Sequence, residues 1–350
     1  MKRYGIGMTL ALAAAGCGGS SSSEQDDIGR AMQTSMKSDL QALHDAAIAL
    51  QAAAPTPAGR GWSATEDAAA IASMKAAWVD ARTAYEHVEG ATAPIFPDID
   101  AAIDERYDGF LTEIPGGDDD LFDDQGVTGM HAVERIIYST SIPANVVAFE
   151  SMLPGYKPAA YPQTEAQAAA FKDQLCAKLV DDTGMLLDFW TKAGRLDVSG
   201  AFTGLVGLMN EQQEKVNNAG NGEEESRYAQ RTMADLRANL VGTAAIYGLF
   251  RDWLKSKPAV EGSRSGTEID AAIMDGFSSL QTTYGTVAGD AIPTAPETWS
   301  AEAPSATDLA TPFGMLYQSI SGAVDPATPG SIVDNMKTGA MLLGIPVADL

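Results

Sequence analysis

The chain has 350 residues, with 23 Lys and Arg against 47 Asp and Glu, for a formal net charge of −24 at neutral pH. So acidic a surface repels nucleic acid and attracts cations, although acidity also serves solubility and names no ligand by itself. Of the two cysteines only Cys176 lies in the body of the chain, so a folded domain here is stabilised by burial and not by an internal disulfide.

The first residues read as an export signal. Lys2 and Arg3 precede an apolar run from Ile6 to Ala15, which is shorter than the roughly 20 residues a spanning helix needs. The run closes in Ala14-Ala15-Gly16-Cys17, small residues before a thiol, which is the layout of a lipobox with Ala where Leu is more usual. Residues 1–17 are therefore expected to be a signal peptide and Cys17 a lipidation site, with ordinary cleavage near the same place as the alternative. Residues 18–27, rich in Gly and Ser and then acidic, are expected to be a flexible tether. The protein is expected outside the cytoplasm, lipid-anchored at the periplasmic face of a membrane or at the cell surface. No later stretch is long and apolar enough to cross a membrane.

Apolar residues recur at three- and four-residue spacing through Ala-rich segments, the pattern of amphipathic helices. The spacing predicts a helix over 28–54, stopped by Pro55-Thr56-Pro57, and a second over 64–91. Ser63 with Glu66 forms a capping-box pattern before the second. A third runs over 98–112, then comes an acidic loop over 115–126, a helix over 127–139 and a short helical piece after Pro143. A proline-rich loop leads to a helix over 164–193. Helices are predicted over 199–217, 223–255 and 266–287, then, after a proline-rich loop at 292–304, over 306–323 and 329–344. Alternating strand patterns are nearly absent, so the fold class is all-α, with antiparallel helices in bundles. Asp98-Ile99-Asp100-Ala101-Ala102-Ile103 is echoed by Glu268-Ile269-Asp270-Ala271-Ala272-Ile273, and Arg82 by Arg237, which suggests two related bundles.

Histidine is scarce, at positions 44, 87 and 131. His131 and Glu134 sit three apart in Gly129-Met130-His131-Ala132-Val133-Glu134 and share a helix face, where imidazole and carboxylate suit a borderline or hard cation. A simple His–Glu hydrogen bond explains the same spacing. Glu86 and Glu89 repeat it with Arg82 a turn earlier, a pattern that a solvated ion-paired face also gives. Asp98, Asp100 and Asp104 follow at the start of the third helix, where acids also favour the first turn. The insert Asp118-Asp119-Asp120-Leu121-Phe122-Asp123-Asp124 lacks the spacing of an EF-hand and reads as a solvated loop or a cation-collecting mouth.

Taken in order, Trp78 to Glu89 with its Arg82, Tyr85, Glu86 and Glu89, then Asp98 to Asp104, then Gly129 to Glu134 resemble the imelysin-like family. Gly222-Glu223-Glu224-Glu225-Ser226-Arg227-Tyr228 and Asp235-Leu236-Arg237-Ala238-Asn239 resemble its second-half signature. That family takes in EfeO-type iron-uptake proteins and a peptidase for which it is named. The resemblance implies one domain over 28–345, made of two antiparallel four-helix bundles at about 28–160 and 161–345, with the GxHxxE motif near their junction. It implies a metal ion held by His131, Glu134, Glu86, Glu89 and Asp104, with Glu211 as a looser second-half carboxylate. Iron is the first expectation for that ion, with zinc or manganese as alternatives. The chain departs from EfeO-type proteins in its acidic insert and in Tyr228-Ala229-Gln230-Arg231, where those proteins carry a Ser-His-Thr-Asp stretch, and the cupredoxin-like domain that some of them carry is not expected within these residues.

Enzyme motifs are scarce. There is no HExxH to hold zinc beside a catalytic Glu, no G-x-S-x-G elbow, and Cys176 reads as a buried, inert thiol. The expected function is a membrane-tethered, extracytoplasmic metal-binding lipoprotein that captures iron for uptake, with a membrane permease or another uptake component as partner. The alternatives are a metal-dependent peptidase and a surface protein that binds haem or a polysaccharide.

Overall fold

The structure, a computed structural model, describes residues 21–347 except 115, 261 and 301. The expected signal peptide, Cys17 and the first tether residues lie outside the described residues. Among those described, regular structure is entirely helical, as the apolar spacing predicts.

The chain enters as α1 (Ser21–Ser35), and after Met36 continues as α2 (Lys37–Ala53). Residues 21–27, at the end of the segment expected as a tether over 18–27, belong to α1. Ile28 and Met32 are buried, Asp27 pairs with Arg30, and Asp26 lies 2.9 Å from Arg195. Docking overrides a local composition that favours disorder. Ser63 accepts the Glu66 amide at 3.2 Å, but this closes only a turn, and α3 begins later, at Ala68, and runs to Glu86. The expected helix over 64–91 is interrupted there. His87 and Val88 redirect the chain into α4 (Glu89–Ile95). The expected helix over 98–112 is likewise α5 (Pro97–Asp104) and α6 (Tyr107–Glu113), divided where Glu105 turns extended.

Then follow α7 (Gly129–Ile137), α8 (Ala144–Glu150) and α9 (Glu165–Ala170). One π-helical turn, Phe171–Leu175, joins α9 to α10 (Cys176–Lys192), and α11 spans Val198–Ala219. Sequence periodicity fails most clearly over 223–255. Residues 223–231 form a turn-rich segment, and helix resumes only as α12 (Thr232–Tyr247) and α13 (Arg251–Lys255). Gly222 (φ 83°) and Gln230 (φ 57°) take left-handed backbone at either side of this segment. Its side chains bond inward: the Ser226 amide donates to Thr232 Oγ1 at 3.2 Å, and Thr232 Oγ1 donates to Glu224 at 3.0 Å. Such local bonds offer the backbone an alternative to the helix. The chain ends with α14 (Gly266–Gly285), α15 (Ala306–Leu309), α16 (Pro312–Val324) and α17 (Ile332–Leu343). The Ser265–Glu268 capping box opens α14, and Ser331 caps α17.

α2 packs on α3 and α10, while α11 packs on α4, α12, α16 and α17. α14 lies against α12, α16 and α17, and α12 reaches across to α3 and α4. Buried apolar side chains such as Trp78, Tyr85, Met130, Trp190, Phe202, Tyr247 and Phe313 belong to one contiguous core that runs through both halves of the chain. Cys176 lies inside that core, and burial pushes its thiol far above the usual range, which keeps it unreactive. Among the described residues no helix is long and apolar enough to cross a membrane.

Candidate metal centre

Most of the helices that converge here present a pair of polar side chains one turn apart. α3 offers Arg82 and Glu86, α5 Asp100 and Asp104, α11 Glu211 and Lys215, α12 Asp235 and Asn239, and α7 offers His131 and Glu134. Spacings of three and four put each pair on one face. Two glycines let the faces meet. Gly129 opens α7 at φ 82°, and a β-carbon there would lie 2.6 Å from the Ile103 carbonyl oxygen, so only glycine lets His131 approach the end of α5. Gly242 on α12 would bring a β-carbon within 2.2 Å of the His87 carbonyl oxygen, at the break between α3 and α4. Trp78 Nε1 donates to the Met130 carbonyl at 3.0 Å and fixes α7 against α3.

At the centre lies Arg82, 1% exposed. It pairs with Glu86 and Asp104, donates to Glu225 Oε1 at 2.8 Å, and lies 3.7 Å from Asp235 Oδ2. Beside it His131, also 1% exposed, donates from Nδ1 to Glu134 Oε2 at 2.9 Å. Glu134 Oε1 in turn accepts the Tyr228 and Ala229 amides at 3.0 and 2.8 Å, so Glu134 has both oxygens engaged on the side of the ring away from Nε2. His131 Nε2 lies 3.4 Å from Asp104 Oδ1 and 3.6 Å from Glu225 Oε1, without hydrogen-bond geometry to either. Asp104, His131 and Glu225 each offer a ligand atom, and these atoms all lie within 4.8 Å of one another.

Asp104 and Glu225 of this group line an open cleft of about 430 Å³, whose walls also include Glu89, Asp100, Glu211 and Lys215. Asn239 Nδ2 bridges Glu86 and Glu89, donating to Glu89 Oε2 at 2.9 Å. Lys215 lies 3.4 Å from Glu89 Oε1 and 3.6 Å from Glu225 Oε2. Tyr85 donates to Asp100, and Ser226 to Asp235.

Carboxylates outnumber cations here, and the protonation equilibria register it. Burial, reinforced by the neighbouring Asp104, pushes Asp100 up to about 8, and burial pushes Glu211 up to about 7 and Asp235 to about 6. Burial also holds Glu86 above the usual range in spite of Arg82 and Lys215. Burial disfavours charge on His131, yet Asp104, Glu134 and Glu225 outweigh it and raise the ring's affinity for a proton. Glu225 is held well below the usual range, because Lys215, His131 and Arg82 overcome its burial.

Of the residues expected from sequence, Asp104 and His131 contribute to the triad, Glu134 orients the ring, Glu86 and Glu89 flank it, and Glu211 lines the cleft. Glu225, Asp235, Asn239 and Lys215 carry no expected role from the sequence. Glu225 hides in a run of acids that reads as a helix start, and only the adjoining Asn and Gly residues signal that the backbone bends there. His44 and His87 lie elsewhere, against Thr183 and Asp39. The acidic insert closes its own turns: Asp118 accepts the Asp120 and Val127 amides at 3.1 and 2.9 Å. Arg237, the sequence echo of Arg82, donates to carbonyls at the end of α14 instead of to a carboxylate cluster.

Fold and site together define an all-helical protein whose two sequence halves enclose a buried carboxylate–histidine–arginine cluster under an acidic cleft. The imelysin (peptidase M75) family model matches residues 30–303, and the chain belongs to the imelysin family. It is similar to the crystal structure of an imelysin-like protein from Psychrobacter arcticum 273-4, with a TM-score of 0.49 at 13% identity over 97% of this chain and 100% of that one. No curated protein matches the sequence.

Proposed function

We propose that the protein captures a metal ion outside the cytoplasm, iron before zinc or manganese, as cargo for uptake by a membrane permease or a similar component. One observation carries this reading: the buried His131 Nε2 has no hydrogen-bond partner and faces Asp104 and Glu225 at the floor of an acidic cleft. A buried imidazole nitrogen that faces two carboxylates at 3.4 and 3.6 Å without hydrogen-bond geometry calls for an explanation, and a bound cation is one. One imidazole and two carboxylates form a donor set suited to iron, manganese or zinc, and His131 is oriented through Nδ1 by Glu134 in the manner of metal-bound histidines. Glu89 and Glu211 line the cleft above the ion, and Glu86 lies behind it against Arg82. The sequence Ala14-Ala15-Gly16-Cys17 supports a lipid anchor at Cys17, which would hold this cleft near a membrane.

Titration of the purified protein with Fe(II), Fe(III), Zn(II) and Mn(II), with metal analysis, tests the reading. Wild type binds one ion with micromolar or better affinity. His131→Ala combined with Asp104→Asn abolishes this while the helical circular dichroism persists. Affinity unchanged in that variant would remove these residues from the site. Cleavage of unfolded chains that chelators stop would redirect the reading to a peptidase.

A further inference from the structure

The metal reading leaves Arg82 without a task, and its geometry supplies one. The guanidinium donates to Asp104 Oδ1 and, at 2.8 Å, to Glu225 Oε1. These are the same two oxygens that face His131 Nε2 at 3.4 and 3.6 Å. An ion drawing on His131, Asp104 and Glu225 therefore meets a fixed positive charge on the atoms it needs. Glu86 and Asp235 also lie against Arg82, so the guanidinium has carboxylates to retain when it lets go of the two that face the ring.

We propose that Arg82 is the resident counter-cation of the centre, and that metal enters by exchange: the ion takes Asp104 and Glu225 while the guanidinium withdraws onto Glu86 and Asp235. The inference rests on the metal reading and adds the manner of loading to it. Such a device keeps the apo cluster folded, since buried carboxylates with no cation are strongly unfavourable. It also sets a threshold, because the guanidinium, singly charged, yields to an ion of higher charge that coordinates directly. Monovalent ions lack both advantages and are excluded. Lys215 has no equal claim to this role. It approaches the other Glu225 oxygen, Oε2, at 3.6 Å, and lies on the cleft side beside Glu89.

The test is Zn(II) and anaerobic Fe(II) titration of wild type, Arg82→Gln and Arg82→Met, with folding followed by circular dichroism. Removing the competitor is expected to tighten binding by about tenfold or more, since two cations a few ångströms apart in a buried site repel strongly. The added metal should also raise the melting temperature of the variants more than that of wild type. Weaker or equal binding in a folded variant would make Arg82 a support for the carboxylates and overturn exchange, while the metal reading stands. No binding by wild type would remove the metal reading itself. Should the variants fail to fold, arginine side-chain hydrogen exchange in wild type decides. Arg82, Arg135 and Arg227 are all buried, so saturating Zn(II) must change the protection of one buried guanidinium, and no change in any overturns the proposal.

Discussion

At the residue scale the centre divides its acids by task. Glu134 is fully used, one oxygen on His131 and the other on two backbone amides. Its replacement by Gln should weaken metal binding by about 10–100-fold without abolishing it, the size of loss typical for residues that orient a ligand. Isothermal titration separates that outcome from the total loss expected when His131 goes. Asp100 and Glu211 behave differently. Their folded-state values, about 8 and about 7, stand above ordinary unfolded values near 4, so the folded protein binds more protons than the unfolded chain between these limits. Stability is thus favoured at low pH and falls as pH rises from about 4 through about 8. His131, also raised, acts in the same direction above its unfolded value near 6.5. The metal-free protein is expected to melt at a lower temperature at pH 8 than at pH 6, and Asp100→Asn should flatten that dependence. A melting temperature that rises over this interval would contradict the burial of these carboxyls.

At the element scale the approach of α7 to α5 is the tightest requirement. Gly129→Ala forces a side chain into left-handed backbone and against the Ile103 carbonyl. The expected loss is about 1–3 kcal/mol or more in urea denaturation, accompanied by weaker metal binding as His131 is displaced. The elements also show what the sequence made legible. Apolar spacing marks nearly every helix, because burial of one face is a local, periodic demand. It marks neither the turn at His87 and Val88 nor the non-helical segment at 223–231, because both are imposed by partners far along the chain. Glu134 holds the Tyr228 and Ala229 amides from 94 and 95 residues away, and such a bond leaves no periodic trace. His131 was legible because a rare residue type at helical spacing from a carboxylate stands out, and Asp104 only through the family resemblance. Glu225 was not, since an acid among acids reads as surface.

At the scale of the whole molecule, the cluster draws on α3, α5, α7, α11, α12 and the 223–231 segment, with Arg82 and Glu225 separated by 143 residues. Contacts that distant close late, after the loop between them has been ordered. A cluster that closes after the rate-limiting folding step lets whatever it binds act on the finished protein alone. Interactions missing from the transition state slow unfolding and leave folding speed unchanged. Saturating metal is therefore expected to lower the unfolding rate in denaturant-jump experiments while the refolding arm stays put. The ion would govern how long the folded state survives once made, its durability rather than its assembly.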